Sequence, residues 1–370
     1  MRRRGFFALA AGTALLAGCA AGDAPAGTVV DRLFLLEPAA DGHGWDGIAR
    51  RLASVMVRSG LARTVMAVDR PGVLGSAPRD AFVVPGVPDL AGAAGDPGDP
   101  GHLGGPEASG APDASRASFA REGRLLVTAM PMVAAAEIAN TTAVVEAATP
   151  LARLAGDWLA LVVPAGSRLR AFEDFAAALH RDPARLTVGG RLEGGSDHVL
   201  YGMIGKCLGV DTRLLEYAGY LVAEDAAEAL RLGRVAAMLG SARALLPGIS
   251  AGRLRPLAVS SGVRIEGIDA PTLMELDVRL EYSDWCGLLG PRDMSPGDRQ
   301  AAVALCERLD ATPHWRALCA ANGWSRVFLG GDDFRRWLST ETGRTRGVLH
   351  ELGLLTSSDT TCWGSCVRRP

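Results

Sequence analysis

The chain has 370 residues, 48% hydrophobic and 22% charged, with a formal net charge of −2. That length exceeds one ordinary core and points to two domains, and the composition excludes a chain disordered throughout. No apolar run reaches the ~18 residues of a membrane-spanning helix, and without a basic excess no nucleic acid is expected as a partner.

Arg2, Arg3 and Arg4 precede a short apolar stretch, Gly5 to Ala17, which runs into Leu16-Ala17-Gly18-Cys19. This order is that of a secretory signal whose last residues resemble a bacterial lipobox. The expectation is a signal over 1–18, acylation of Cys19 and a small-residue tether over 19–28. An ordinary signal with a chance cysteine is the alternative. Arg3-Arg4-Gly5-Phe6-Phe7 also resembles a twin-arginine signal.

The body alternates strands and helices. Strands are expected at Val29–Leu36, Arg63–Val68, Leu125–Thr128, Leu159–Val163, Leu186–Val188, Leu214–Tyr217, Val235–Leu239 and Pro256–Val259. Helices are expected at Trp45–Ser59, Ala171–Arg181, Asp197–Leu208, Ala223–Leu232 and Ala242–Ala251. The end reads as helical over Pro296–Asp310, Pro313–Asn322 and Asp332–Leu352, interrupted at Arg326–Leu329. Within Ala91–Pro112 half the residues are glycine or proline, too few apolar side chains to offset ordering, so a disordered insertion is expected. Repeated β-loop-α units predict an α/β fold of mostly parallel sheets flanked by helices, with ligands at the carboxyl ends of the strands.

Four loops sit at such ends: Asp41-Gly42-His43-Gly44-Trp45-Asp46, Thr128-Ala129-Met130-Pro131, Gly194-Gly195-Ser196-Asp197-His198 and Gly240-Ser241-Ala242-Arg243. Glycines admit close backbone approach, and helix N-termini favour anions. Ser196 reads as an N-cap and hydroxyl donor. Arg191 and Arg243 are each either a carboxylate clamp or a solvated arginine. His198 is either a donor or a packed capping residue, and Trp45 either stacks on a ligand or packs its helix on the sheet. In an exported chain disulfides are permitted. Cys306 and Cys319, on consecutive helical patterns, are either bridged or two buried thiols. Cys362-Trp363-Gly364-Ser365-Cys366 has the wrong spacing for a redox or zinc motif.

Longer motifs add a resemblance. Glu37-Pro38 through Asp46 with Ile48-Ala49-Arg50, Asp69-Arg70-Pro71-Gly72 with Gly75, Gly195-Ser196 with His198, and Tyr217-Ala218-Gly219 fall in order. Ala251-Gly252-Arg253-Leu254-Arg255-Pro256-Leu257-Ala258-Val259, Ala270-Pro271-Thr272 and Trp285-x-Gly287-Leu288 follow. Together they resemble the periplasmic substrate-binding proteins of tripartite tricarboxylate transporters, the Bug-type receptors, over nearly all of the chain to about Leu355 except the insertion.

The resemblance implies a two-lobed type II periplasmic-binding-protein fold that closes on a small carboxylate and delivers it to membrane transporter subunits. It implies lobe 1 over 29–150 plus 257–355, lobe 2 over 151–256, and a tail from 356 to 370. It places Gly42, His43 and Gly44 against the ligand from one lobe and Gly195 and Ser196 from the other, with Thr128, Met130 and Ser241 lining the cleft. His43 stands where the family has glycine. A monomer touching the membrane only through its lipid is expected, on the outer face of the cytoplasmic membrane.

Enzyme motifs do not complete. The Gly194–His198 loop lacks a nucleophile elbow's second glycine, His350-Glu351 lacks a second histidine, and the six histidines are scattered. No cofactor or metal is expected. Two rival readings stay open: a sensing or scavenging lipoprotein without a transporter, and an exported hydrolase using Ser196 and His198.

Overall fold

The computed structural model describes residues 29–38, 45–70, 82, 84, 118–141, 146 and 148–355. The expected signal, Cys19, the tether, the 91–112 insertion, the tail, and Gly42, His43 and Gly44 lie outside the described residues.

Two sheets share one strand. β1 (Val30–Glu37), buried over its last five residues, runs parallel to β2 (Ala62–Asp69) and β3 (Glu122–Ala129). These form the first sheet's parallel half. β4 (Thr149–Pro164) is 16 residues long and continues into the second sheet. There it meets the parallel set β5 (Val188–Arg191), β6 (Tyr217–Tyr220) and β7 (Ala237–Ser241), with β8 (Leu254–Val259) on its other side. β9 (Ser283–Gly290) lies antiparallel between β3 and β4, and β10 (Ser325–Gly330) pairs antiparallel with β4. The whole is a curled, mixed sheet with helices on its faces, the two-lobed architecture expected. Its order is β2-β1-β3-β9-β4-β7-β5-β6.

The changeover on β4 falls between Trp158, opposite Ser283 of β9, and Leu159, opposite Ser241 of β7. The expected lobe boundary at 150/151 therefore moves along the strand. The boundary at 256/257 moves too, because β8 lies wholly in the second sheet, paired with residues 160–164 of β4.

Helices cover the sheets by apolar stripes. α1 (Ile48–Arg58) buries Ile48, Ala49, Leu52, Val55 and Met56, one face of a helical period, and leaves its arginines outside. α2 (Met130–Ile138), rich in alanine, follows β3 directly. α3 (Phe172–Arg181), α4 (Ser196–Cys207), α5 (Ala223–Arg231) and α6 (Ala242–Ser250) belong to the second lobe. α7 (Pro296–Ala311), α8 (Pro313–Asn322) and α9 (Gly331–Glu351) return to the first.

α9 also reaches α4. A Cβ on Gly202 would lie 2.9 Å from Val348 Cγ1, so this glycine is what lets the two helices close up. The core between them holds Tyr201, Trp285, Phe334 and Leu338, all essentially solvent-free. Burial of this apolar surface, about 25 cal/mol per Å², is what fixes the lobes' packing.

No bridge joins Cys306 and Cys319. Each is a separate buried thiol in the core of the first sheet, and burial pushes both thiols up to about 12. Among the described residues no helix is long and apolar enough to cross a membrane.

Candidate functional site at the junction of the two sheets

The site forms where β4 changes sheets. Asp157 of β4 lies directly opposite Asp284 of β9 in the antiparallel register. Like charges at facing positions repel, so the pair must be balanced from elsewhere. Arg191, the last residue of β5, supplies the balance. Its Nη2 donates to Asp284 Oδ2 at 3.2 Å and to Asp197 Oδ1 at 3.3 Å, and its backbone N–H donates to Asp197 Oδ2 at 2.9 Å. The Arg191 side chain is 13% exposed, while Asp197 and Asp284 are 0% and 1% exposed.

Gly190 makes room for this arrangement, since a Cβ there would lie 2.5 Å from Tyr217 Oη and 2.9 Å from Asp197 Cβ. Tyr217 Oη in turn donates to Arg191 O at 2.5 Å.

Burial raises the Asp284 carboxyl, and Arg191 opposes the rise. Asp157 is half-buried, and desolvation pushes it up to about 7 against the pull of the Ser241 hydroxyl and Arg191. Arg191 itself is held charged by Asp197 and Asp284, which outweigh its desolvation. Three carboxyl groups thus face one guanidinium, and the surplus is acidic.

Unspent polar atoms surround Asp284. Its Oδ1, Ser196 Oγ, Tyr282 Oη and Trp45 Nε1 are buried without a hydrogen-bond partner among the described residues. Ser196 and Trp45 lie near enough to favour the Asp284 carboxylate, yet neither closes a hydrogen bond of normal geometry on it. Buried polar groups are ordinarily satisfied, so a cluster of orphans marks a place prepared for a guest. Beside it, Pro131, Ala134, Ile138, Arg191 and the 192–196 loop line a pocket of about 90 Å³ between α2 and the second lobe.

Several expected residues have other work. Gly195, not Ser196, is the N-cap of α4, which leaves the Ser196 hydroxyl uncommitted. The Gly195 N–H donates to Leu192 O at 2.9 Å and is spent within the loop. His198 stacks on Tyr217 with ring centroids 4.1 Å apart, and its Nδ1 accepts from Gly194 N at 3.2 Å. Desolvation pushes that imidazole down to about 4, so it stays neutral. Met130 is fully buried in the core rather than lining the cleft.

Thr128 does place a buried, unpartnered hydroxyl at the end of β3. Ser241 caps α6, accepting from Ala244 N at 3.4 Å, and touches Asp157. Arg243 is exposed and packs against Gly323, away from Arg191. Trp45 packs on Trp324 at 4.7 Å but aims its N–H at the Asp284 group.

The N-terminus of α1, expected to receive a ligand anion, is already filled. Glu37, at the end of β1, accepts from Gly47 N at 2.6 Å and Ala49 N at 3.1 Å. Asp157, Asp284 and Tyr282 were not singled out by the sequence, and Glu37 and Asp197 figured there only within longer motifs. A usable signal existed for Asp284, the one charged residue of β9, whereas Asp157 shares β4 with Arg153.

The family model described as tripartite tricarboxylate transporter family receptor matches residues 125–354. A curated protein of Cupriavidus necator, named UPF0065 protein in gbd 5'region, is 23% identical over 202 residues. That alignment covers 54% of this chain and 61% of the relative, so the chain spans under two thirds of the relative's length. A solute-binding protein from Polaromonas superposes with a TM-score of 0.65 at 21% identity, covering 88% of this chain and 99% of that one. MatC from Rhodopseudomonas palustris, solved with bound malate, superposes with a TM-score of 0.59 at 17% identity, covering 87% and 99%.

Proposed function

Because the chain belongs to the tripartite tricarboxylate transporter receptor family, we propose that it is an exported solute-binding protein that closes two lobes on a small carboxylate. It presents that carboxylate to the membrane subunits of a tripartite transporter. It acts as a monomer, anchored by an acylated Cys19 to the outer face of the cytoplasmic membrane. The observation that carries the reading is the cluster of Ser196, Tyr282 and Trp45 at the sheet junction, buried donors beside Asp284 that close no hydrogen bond of normal geometry. Thr128 adds a fourth donor from the first lobe, and malate in the MatC fold relative supports the ligand class.

The family and its fold relatives are solute-binding proteins rather than enzymes. The hydrolase reading loses its base, because His198 is committed to Gly194 and Tyr217 and makes no hydrogen bond to Ser196. Calorimetry with C3 to C6 carboxylates tests the proposal. Ser196→Ala removes one hydroxyl hydrogen bond to an ion and is expected to weaken binding by about ten- to a hundredfold. Affinity unchanged in Ser196→Ala and in Thr128→Val would place the ligand elsewhere. Retention of the Cys19→Ser variant in the membrane fraction would refute the anchor.

A further inference from the structure

We propose that the groove between α1 and α8, on the first lobe, is a docking surface for an acidic, partly apolar segment of the membrane subunits that this receptor serves. This rests on the transporter reading above and adds the face by which those subunits are met.

The sequence sets these two helices apart. α1 carries Arg50, Arg51 and Arg58, α8 carries His314 and Arg316, and neither helix holds an aspartate or a glutamate. The chain as a whole is acidic, with a net charge of −2. Like charges on neighbouring helices repel, so their charges do not bring α1 and α8 together. Their inner faces do, through Leu52, Val55 and Met56 of α1 and Trp315 and Cys319 of α8 in the core of the first sheet. The outer faces keep the basic surplus.

The two helices run antiparallel. At one end Arg51 Nη1 donates to Asn322 Oδ1 at 2.8 Å, and at the other Ser59 Oγ and His314 Nδ1 lie 3.1 Å apart. Between these ties lies a cavity of about 380 Å³ with Val55, Ala317 and Leu318 as its apolar lining. Its rim residues Arg50, Arg51, Ser54 and Arg58 are exposed. Arg50 is paired with Asp69, but Arg51 meets a neutral amide and the Trp324 ring, and Arg58 is paired with no acid among the described residues.

This geometry selects the occupant. Arg51 and Arg58 are two helical turns apart, about 10 Å along the axis, more than one phosphate or carboxylate spans. A bilayer surface would meet the arginines and leave Val55 and Leu318 uncovered. A second copy of the chain would set arginine against arginine. A segment with acids about two turns apart and small apolar residues between them matches both the charge and the lining. One end of the groove also adjoins the sheet junction. Arg51 lies 5.7 Å over Trp324, and Trp324 packs on Trp45 beside Asp284. A subunit seated in the groove therefore stands next to the ligand site.

The test titrates the full chain with its purified membrane subunits in phosphatidylcholine nanodiscs, by biolayer interferometry at low and high salt. The dissociation constant is expected to rise about tenfold or more between about 0.05 and about 0.3 M NaCl. Ser54→Glu/Arg58→Glu should weaken binding about tenfold or more, and Arg234→Glu, exposed on the second lobe, by about threefold at most. Carboxylate affinity by calorimetry should be the same in all three proteins. Should the double variant fold poorly, the wild-type salt dependence and Arg58→Ala, expected to weaken binding about threefold, still decide. Unaltered subunit binding in the double variant, or binding insensitive to salt, would overturn this inference and leave the transporter reading standing. Loss of binding to phosphatidylglycerol vesicles with subunit binding intact would overturn it in favour of a membrane surface. Carboxylate binding with no subunit binding at all would overturn both this inference and delivery to a transporter.

Discussion

Replacing Asp157 by asparagine probes the junction without any ligand. Burial raises the Asp157 carboxyl from 3.8 to about 7, so the native state holds this proton more tightly than the unfolded chain does. Below about pH 4 both states are protonated and the residue costs nothing. As the pH climbs toward 7 the unfolded chain ionises freely while the native state resists, and native stability is lost across that window. A shift of about three units corresponds to a ceiling of about 4 kcal/mol. Because Asp157 keeps part of its surface in solvent and shares the strain with Asp284, about 2 kcal/mol is expected.

Asparagine keeps the volume and cannot ionise. Asp157→Asn should match the wild type at pH 4 and exceed it by about 2 kcal/mol at pH 8, a Tm gain of about 3 °C for a chain of this length. Circular dichroism melts of both proteins at pH 4, 6 and 8 measure the difference. His198, pushed down to about 4, loses stability in the opposite direction as the pH falls, but it is common to both proteins and cancels. A variant less stable than the wild type at pH 8, or a difference flat with pH, would refute the charge surplus.

Glu37→Ala strips the partner from two N–H groups at the start of α1 and should cost about 1–3 kcal/mol in urea denaturation. Arg191→Met leaves Asp197 and Asp284 buried without their counter-ion, so a loss of about 3–5 kcal/mol is expected at pH 8, shrinking as the pH falls because burial already raises the Asp284 carboxyl. Alkylation of the denatured, unreduced protein followed by peptide mass analysis should find Cys306 and Cys319 each modified singly; a linked peptide pair would contradict the packing of α7 on α8.

Much of the fold was legible because most elements carry a clean period. α1, α3 and α5 alternate apolar and charged faces, and the structure bounds them within a few residues of expectation. The misses share a cause. β9 is buried along its whole length and β4 along most of it, so neither shows the two-residue alternation by which a half-buried strand is read. Pro150, Gly156 and Asp157 further disguise the first part of β4, of which only 159–163 stood out. α2, six of whose nine residues are buried, presents no polar face to mark it as a helix.

The site divides similarly. Ser196, Thr128 and Trp45 came from turn chemistry next to glycines, which is local. Arg191 was visible, but its role was not, because Asp284 lies 93 residues away and only the pairing of β4 with β9 brings it close. Glu37 shows the opposite error: a helix N-terminus attracts an anion, and the chain's own strand end provided it.

The continuous β4 ties the two sheets into one mechanical piece. Sixteen residues at ~3.3 Å each give a strand of about 50 Å with its fulcrum near Asp157 to Leu159, so its arms are about 30 Å and about 20 Å long. Turning one arm by about ten degrees at that fulcrum moves its tip by about 4 Å. The fulcrum and the acidic pair coincide, so a change in the charge of Asp157 or Asp284 acts at the turning point of both sheets. A change of a few tenths of an ångström at the pair becomes a displacement of whole atoms at the outer rims of the lobes.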